Sequence, residues 1–148
     1  MKSLIISLSL AFMLIANTSK AGEINVSPVV ISSFHGSFEN ATQVKWSLVN
    51  GLYKAEFSVD NQFITGYFNE EGNLVAVTEN ISSENLPASL KSNLKNQLGN
   101  QYWITELFKV TDDTGTHYFA TIQNGDNKMI IRSQSNNKWV TYKKVVTI

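Results

Sequence analysis

Few side chains in this sequence could do covalent or metal chemistry. Histidine occurs twice, at His35 and His117, and cysteine is absent. A hydrolytic site needs a nucleophile, a base within reach and a group that orients the base. His35 falls within a helical pattern, His117 opens a strand pattern, and no serine stands in a Gly-x-Ser-x-Gly elbow. Two acidic runs invite a calcium reading: Asn69-Glu70-Glu71-Gly72-Asn73 and Asp112-Asp113-Thr114-Gly115. Neither has the distant bidentate Glu of a calcium loop. Both lie between strand patterns, where Asn, Asp and Gly serve turn geometry alone. The expectation is a protein that is not an enzyme and has no metal and no cofactor. Basic and acidic residues number twelve each. No basic stripe of the kind that tracks nucleic acid is present.

Binding chemistry remains, and it falls to side chains presented by strands. Successive strand residues point to opposite faces. Tyr53, Ala55, Phe57 and Val59 therefore share one face, and Lys54, Glu56 and Ser58 the other. Further on, Tyr118, Ala120 and Ile122 repeat the apolar set, leaving His117, Phe119 and Thr121 opposite. The candidate binding residues are Lys54, Glu56, His117 and Phe119. Phe119 is expected as an exposed apolar anchor and the other three as its polar rim, the usual anatomy of a protein interface. Trp46 alternates with Val44 and Leu48 and reads as core. Trp103 and Trp139 are not placed by alternation.

Two helices and eight strands would hold these residues. Pro28 to Phe38 carries Val30, Ile31, Phe34 and Phe38 at helical spacing, with Ser27 as a possible N-cap and Pro28 at the first helical position. Pro87 to Leu98 places Leu90, Leu94 and Leu98 every four residues, with Lys91 and Lys95 on the polar side and Gly99 as a stop. Strands are predicted over Gln43–Val49, Leu52–Val59, Gln62–Phe68 and Leu74–Asn80, then over Tyr102–Thr111, Thr116–Gln123, Lys128–Ser133 and Lys138–Val146. Asn50-Gly51 and Asp60-Asn61 are hairpin signals, because these residues tolerate positive φ. The third strand, Phe63 to Phe68, is apolar on both faces and cannot be oriented this way. Helix and four strands thus occur twice, and Tyr53-x-Ala55-x-Phe57 echoes Tyr118-x-Ala120-x-Ile122. This reads as an internal repeat of roughly sixty residues.

The chain of 148 residues opens with Lys2, an apolar run from Leu4 to Ala16, and Ser19-Lys20-Ala21. That run is shorter than the ~20 residues a spanning helix needs. It reads as a signal peptide over residues 1–21, cleaved after Ala21, with a mature chain from Gly22 and a periplasmic or secreted location. No stable membrane span is expected after cleavage.

The stretch Phe34-x-x-x-Phe38-x-Asn40-Ala41-x-x-Val44-Lys45-Trp46, followed by Tyr53-Lys54-Ala55-Glu56-Phe57, resembles the PepSY-like, beta-lactamase-inhibitor-like exported proteins of Bacteroidetes. The Phe68-Asn69-Glu70-Glu71-Gly72-Asn73 turn and Leu86-Pro87-Ala88 match as well. Leu98-Gly99-Asn100-Gln101-Tyr102 departs from the pattern, which commonly has a proline-bearing helix end there. The resemblance implies an α+β fold of two tandem repeats, residues 22–85 and 86–148, within one compact domain. Each would be a helix packed on a four-stranded antiparallel sheet, with the other sheet face open. It supplies no catalytic residues. The functional expectation is an exported non-catalytic binding module whose partner is another exported protein or peptide, with inhibition of that protein as one form. The alternative is an envelope or stress-related protein that binds a small ligand or peptide.

Overall fold

A computed structural model describes residues 24–135 and 137–145. The expected signal peptide, its cleavage site and Val146 lie outside the described residues. Two α-helices are present among them: α1 (Pro28–Ser37) and α2 (Ala88–Leu98), the latter preceded by a 3-10 turn at Ser83–Asn85. The strands are β1 (Thr42–Val49), β2 (Leu52–Val59), β3 (Gln62–Phe68), β4 (Leu74–Asn80), β5 (Trp103–Asp112), β6 (Gly115–Gln123), β7 (Lys128–Gln134) and β8 (Lys138–Val145).

These strands form one eight-stranded sheet in the order β1 to β8. The expected pair of repeats, each a helix on its own four-stranded sheet with the other face open, is therefore corrected. Each edge strand presents a row of unpaired N–H and C=O groups. Two separate sheets would have four such edges, whereas a single sheet has two. Where the chain leaves β4, Ile81 N–H donates to the Leu107 carbonyl at 3.0 Å.

By their internal packing the residues group into two compact units. One holds residues 24–79 together with 111–115, and the other holds 80–110, 116–135 and 137–145. In the first unit α1 presents Val30 and Phe34 to Ala55, Phe57 and Phe68. Tyr53 and Val59 flank this core, as alternation along β2 predicts. Phe34 is the hub of an aromatic cluster, with ring centroids 5.0 Å from Phe57, 5.2 Å from Trp46 and 6.2 Å from Phe68. The rings meet largely edge to face, the arrangement their quadrupoles favour. Gly66 lies beneath this cluster, where a Cβ would come within 3.2 Å of Phe68 and 3.3 Å of Phe38.

The second unit has its own core. Leu86, Leu90 and Leu94 pack on Leu107, Ala120, Ile122, Ile131 and Trp139. Trp139 is settled here: it is buried, and its Nε1–H donates to the Leu90 carbonyl at 2.9 Å. Pro28 opens α1 as predicted, although the Ser27 side chain makes no capping bond. Pro87 takes the N-cap position of α2 rather than its first turn, and Gly99 ends that helix with φ +52°.

Candidate functional site

Two tight hairpins set the faces of the first unit. Asn50 and Gly51 both have positive φ, as do Asp60 and Asn61. Two-residue loops of this kind match the twist of the flanking strands and lock their register. Val49 is then opposite Leu52, and Val59 opposite Gln62. Directly opposed residues share a face. Lys54 consequently forms a row with Ser47 on β1 and Tyr67 on β3, and Tyr67 is opposite Ala76 on β4. Glu56 lies between Lys45 and Thr65 in the next row. Both rows are on the face turned away from α1.

On that face Lys54 Nζ pairs with Glu56 Oε1 at 2.9 Å. Lys54 is largely covered and Glu56 is half-exposed. Tyr67 is fully buried, at 0 % exposure. Among the described residues, neither its hydroxyl nor that of Ser47 has a hydrogen-bond partner. Burial pushes the Tyr67 phenol well above its ordinary value of 10.0, and the Glu56 carboxylate pushes it the same way. The phenol stays neutral wherever the protein is folded near neutral pH.

This has a measurable consequence. An acid whose value is raised on folding holds its proton more tightly in the native state. Its contribution to stability is complete below pH 10, the unfolded value, and is lost as pH rises above it. Tyr67→Phe is therefore expected to leave stability at pH 7 within about 1 kcal/mol of the parent, because no protein hydrogen bond is broken. Between pH 10 and 11 the parent should lose stability faster than the variant. Urea denaturation across this range reads both quantities. Identical alkaline slopes would show that the phenol is not buried in this way.

Phe63 also lies on this face. It is opposite Ser58 and is 67 % exposed. Alternation alone could not orient β3, since both of its faces are apolar. The signal was present nonetheless in the Asp60-Asn61 loop, whose two-residue length puts Phe63 beside Ser58 and away from Phe57.

In the second unit the face away from α2 carries His117, Phe119 and Thr121 on β6. His117 is half-buried. Phe119 is not the exposed anchor expected of it, being 4 % exposed. Its ring stacks on Phe108, with centroids 5.4 Å apart and planes 7° from parallel, and meets Tyr142 edge-on at 5.6 Å. Strand alternation correctly assigns its face. It does not reveal that β5 and β8 supply aromatic neighbours on the same face, and these remove Phe119 from solvent. Thr121 Oγ1 donates to Glu106 Oε2 at 2.9 Å, tying down the next row. Trp103 is half-exposed. Lys54 and Glu56 thus belong to one unit, and His117 and Phe119 to the other. Among the described residues no group of three or more His, Asp or Glu is arranged to hold a metal.

No known protein family matches the chain, and no curated protein matches it in sequence. Solved structures do match in fold. A BLIP-like protein from Bacteroides fragilis superposes with a TM-score of 0.74 at 18 % identity, over 85 % of this chain and 91 % of that one. A DUF2874 family protein from Bacteroides ovatus gives 0.72 at 17 % identity, over 80 % and 89 %. A protein from Bacteroides eggerthii, described as a candidate periplasmic protein, gives 0.72 at 11 % identity, over 80 % and 90 %. No helix among the described residues is long and apolar enough to cross a membrane. The likeness establishes a shared fold, one found in BLIP-like and DUF2874 proteins of Bacteroides.

Proposed function

We propose that the chain is an exported, non-catalytic module that binds another periplasmic or secreted protein through the face of β2 and β3 turned away from α1. The observation that carries this reading is Phe63. Phe63 is 67 % exposed next to the Asp60-Asn61 loop of the β2–β3 hairpin, so a large aromatic ring stands in solvent there. Glu56, ion-paired with Lys54 one row further on, is diagonal to it on the same face. An aromatic anchor with charged neighbours is the pattern of an interface hot spot and its rim. Likeness to a protein described as BLIP-like supports a protein partner, and likeness to a candidate periplasmic protein supports export. Cleavage after Ala21 would deliver the chain there.

The test is a photo-crosslinking analogue of phenylalanine at position 63, expressed in cells that export the protein, with the captured species identified by mass spectrometry. A single stoichiometric protein is expected. Phe63→Asp should then weaken binding to that purified protein by about 30-fold or more, as loss of a hot spot does. Its unfolding midpoint should be unchanged, because the side chain lies outside the core. Lys54→Ala should mainly slow association and reduce its salt dependence. If Phe63→Asp binds as tightly as the parent, this face is not the interface.

A further inference from the structure

A groove of about 490 Å3 runs along α2 within the second unit, of a size that holds small ligands. Its helix wall is Lys91, Leu94, Lys95 and Leu98, and it is closed by Ser83 of the 3-10 turn and Ile104 of β5. Residues three and four apart lie on one side of a helix, so these four line a single stripe. Leu94 is buried at the floor, while Leu98 and Ile104 are half-buried along it. Lys91 and Lys95, one turn apart, stand at the margin of this apolar strip. Two ammonium groups at this spacing repel each other. Lys91 is paired with Glu84 of the 3-10 turn. Lys95 is exposed and makes no ion pair among the described residues.

We propose that this groove binds an unbranched alkyl carboxylate, with the chain along Leu94, Leu98 and Ile104 and the carboxylate between Lys91 and Lys95. The apolar floor accounts for the chain. The lysine pair accounts for the negative headgroup, since an anion between two like charges converts their repulsion into two attractions. Glu84 already shows that a carboxylate is accommodated on Lys91 at the groove margin. The ligand headgroup would compete with that side chain for the ammonium. This site uses none of the residues proposed for protein binding.

Isothermal titration calorimetry of the exported protein with decanoate, decanol and acetate tests the assignment. Decanoate should bind saturably at one to one, decanol at least about tenfold more weakly, the scale of one charge-assisted hydrogen bond, and acetate not measurably. Lys95→Met should weaken decanoate by about tenfold and leave decanol unchanged. Glu84→Gln should tighten decanoate by releasing Lys91, an effect that a purely structural role for Glu84 would not produce. Phe63→Asp should leave all three titrations as they are, which separates this proposal from the protein-binding reading. Equal affinities for decanoate and decanol, or an unchanged decanoate isotherm in a folded Lys95→Met variant, would overturn it. It would also be overturned if Lys95→Met abolished flotation with phosphatidylglycerol vesicles or self-association while decanoate failed to bind. Those results would assign the stripe to a membrane surface or to a second copy.

Discussion

Phe57→Ala is expected to destabilise the protein by about 3–5 kcal/mol, the cost of deleting a large aromatic from a packed core. Phe57 is buried, with its ring 5.0 Å from Phe34 at 84° and 4.5 Å from Phe38 at 51°. Removing it leaves a cavity that the rigid α1 wall on one side and the β3 backbone at Gly66 on the other cannot easily fill. The neighbouring Glu56→Ala is the control. It removes half of a partly exposed ion pair, and such pairs contribute at most about 1 kcal/mol. Urea denaturation of the two variants reads the faces of β2 directly. A loss below about 1 kcal/mol for Phe57→Ala, the scale of surface substitutions, would mean that β2 turns its other face to α1.

The second large effect is expected at Phe119, where structure and alternation disagree about exposure. Phe119→Ala should cost about 3 kcal/mol, because its ring is enclosed between Phe108 and Tyr142. Aromatic pairs in these geometries add about 0.5–1.5 kcal/mol beyond the area they bury. Phe119→Leu keeps most of the volume and loses the stacking, so it should fall between the alanine variant and the parent. Thermal and urea unfolding order the three proteins. A fully stable Phe119→Ala would return this side chain to the surface, where it could serve as a docking anchor after all.

The contrast between Phe63 and Phe119 shows where the candidate site was legible. Phe63 faces away from α1 in its unit and Phe119 away from α2 in its own. The face of Phe63 is carried by hairpin register, a local property of a two-residue loop, which the alternation used to read β3 did not capture. The fate of Phe119 depends on Phe108 and Tyr142, which are eleven and twenty-three residues away along the chain, and on β5, β6 and β8 bringing them to one side. Lys54 and Glu56 lay on the expected face, while the unpartnered hydroxyls of Ser47 and Tyr67 beside them carry no sequence signature.

The sequence by itself determined the elements and the inward faces of α1, α2, β2 and β6. Helical spacing in Val30-Phe34 and Leu90-Leu94, period-two alternation in Tyr53-Ala55-Phe57 and Tyr118-Ala120-Ile122, and the Asn50-Gly51 and Asp60-Asn61 loops all act over a few residues. The physics that selects them is correspondingly short-range: steric limits on φ, the pitch of the backbone and the burial of one stripe. Only the tertiary structure decided that eight strands join in one sheet, because backbone edges pair without regard to side-chain identity. It alone decided that Phe119 is covered and Phe63 is not, and that Lys91 and Lys95 flank a groove closed by Ile104. Exposure is a property of everything packed around a residue, and most of that neighbourhood is distant in the chain.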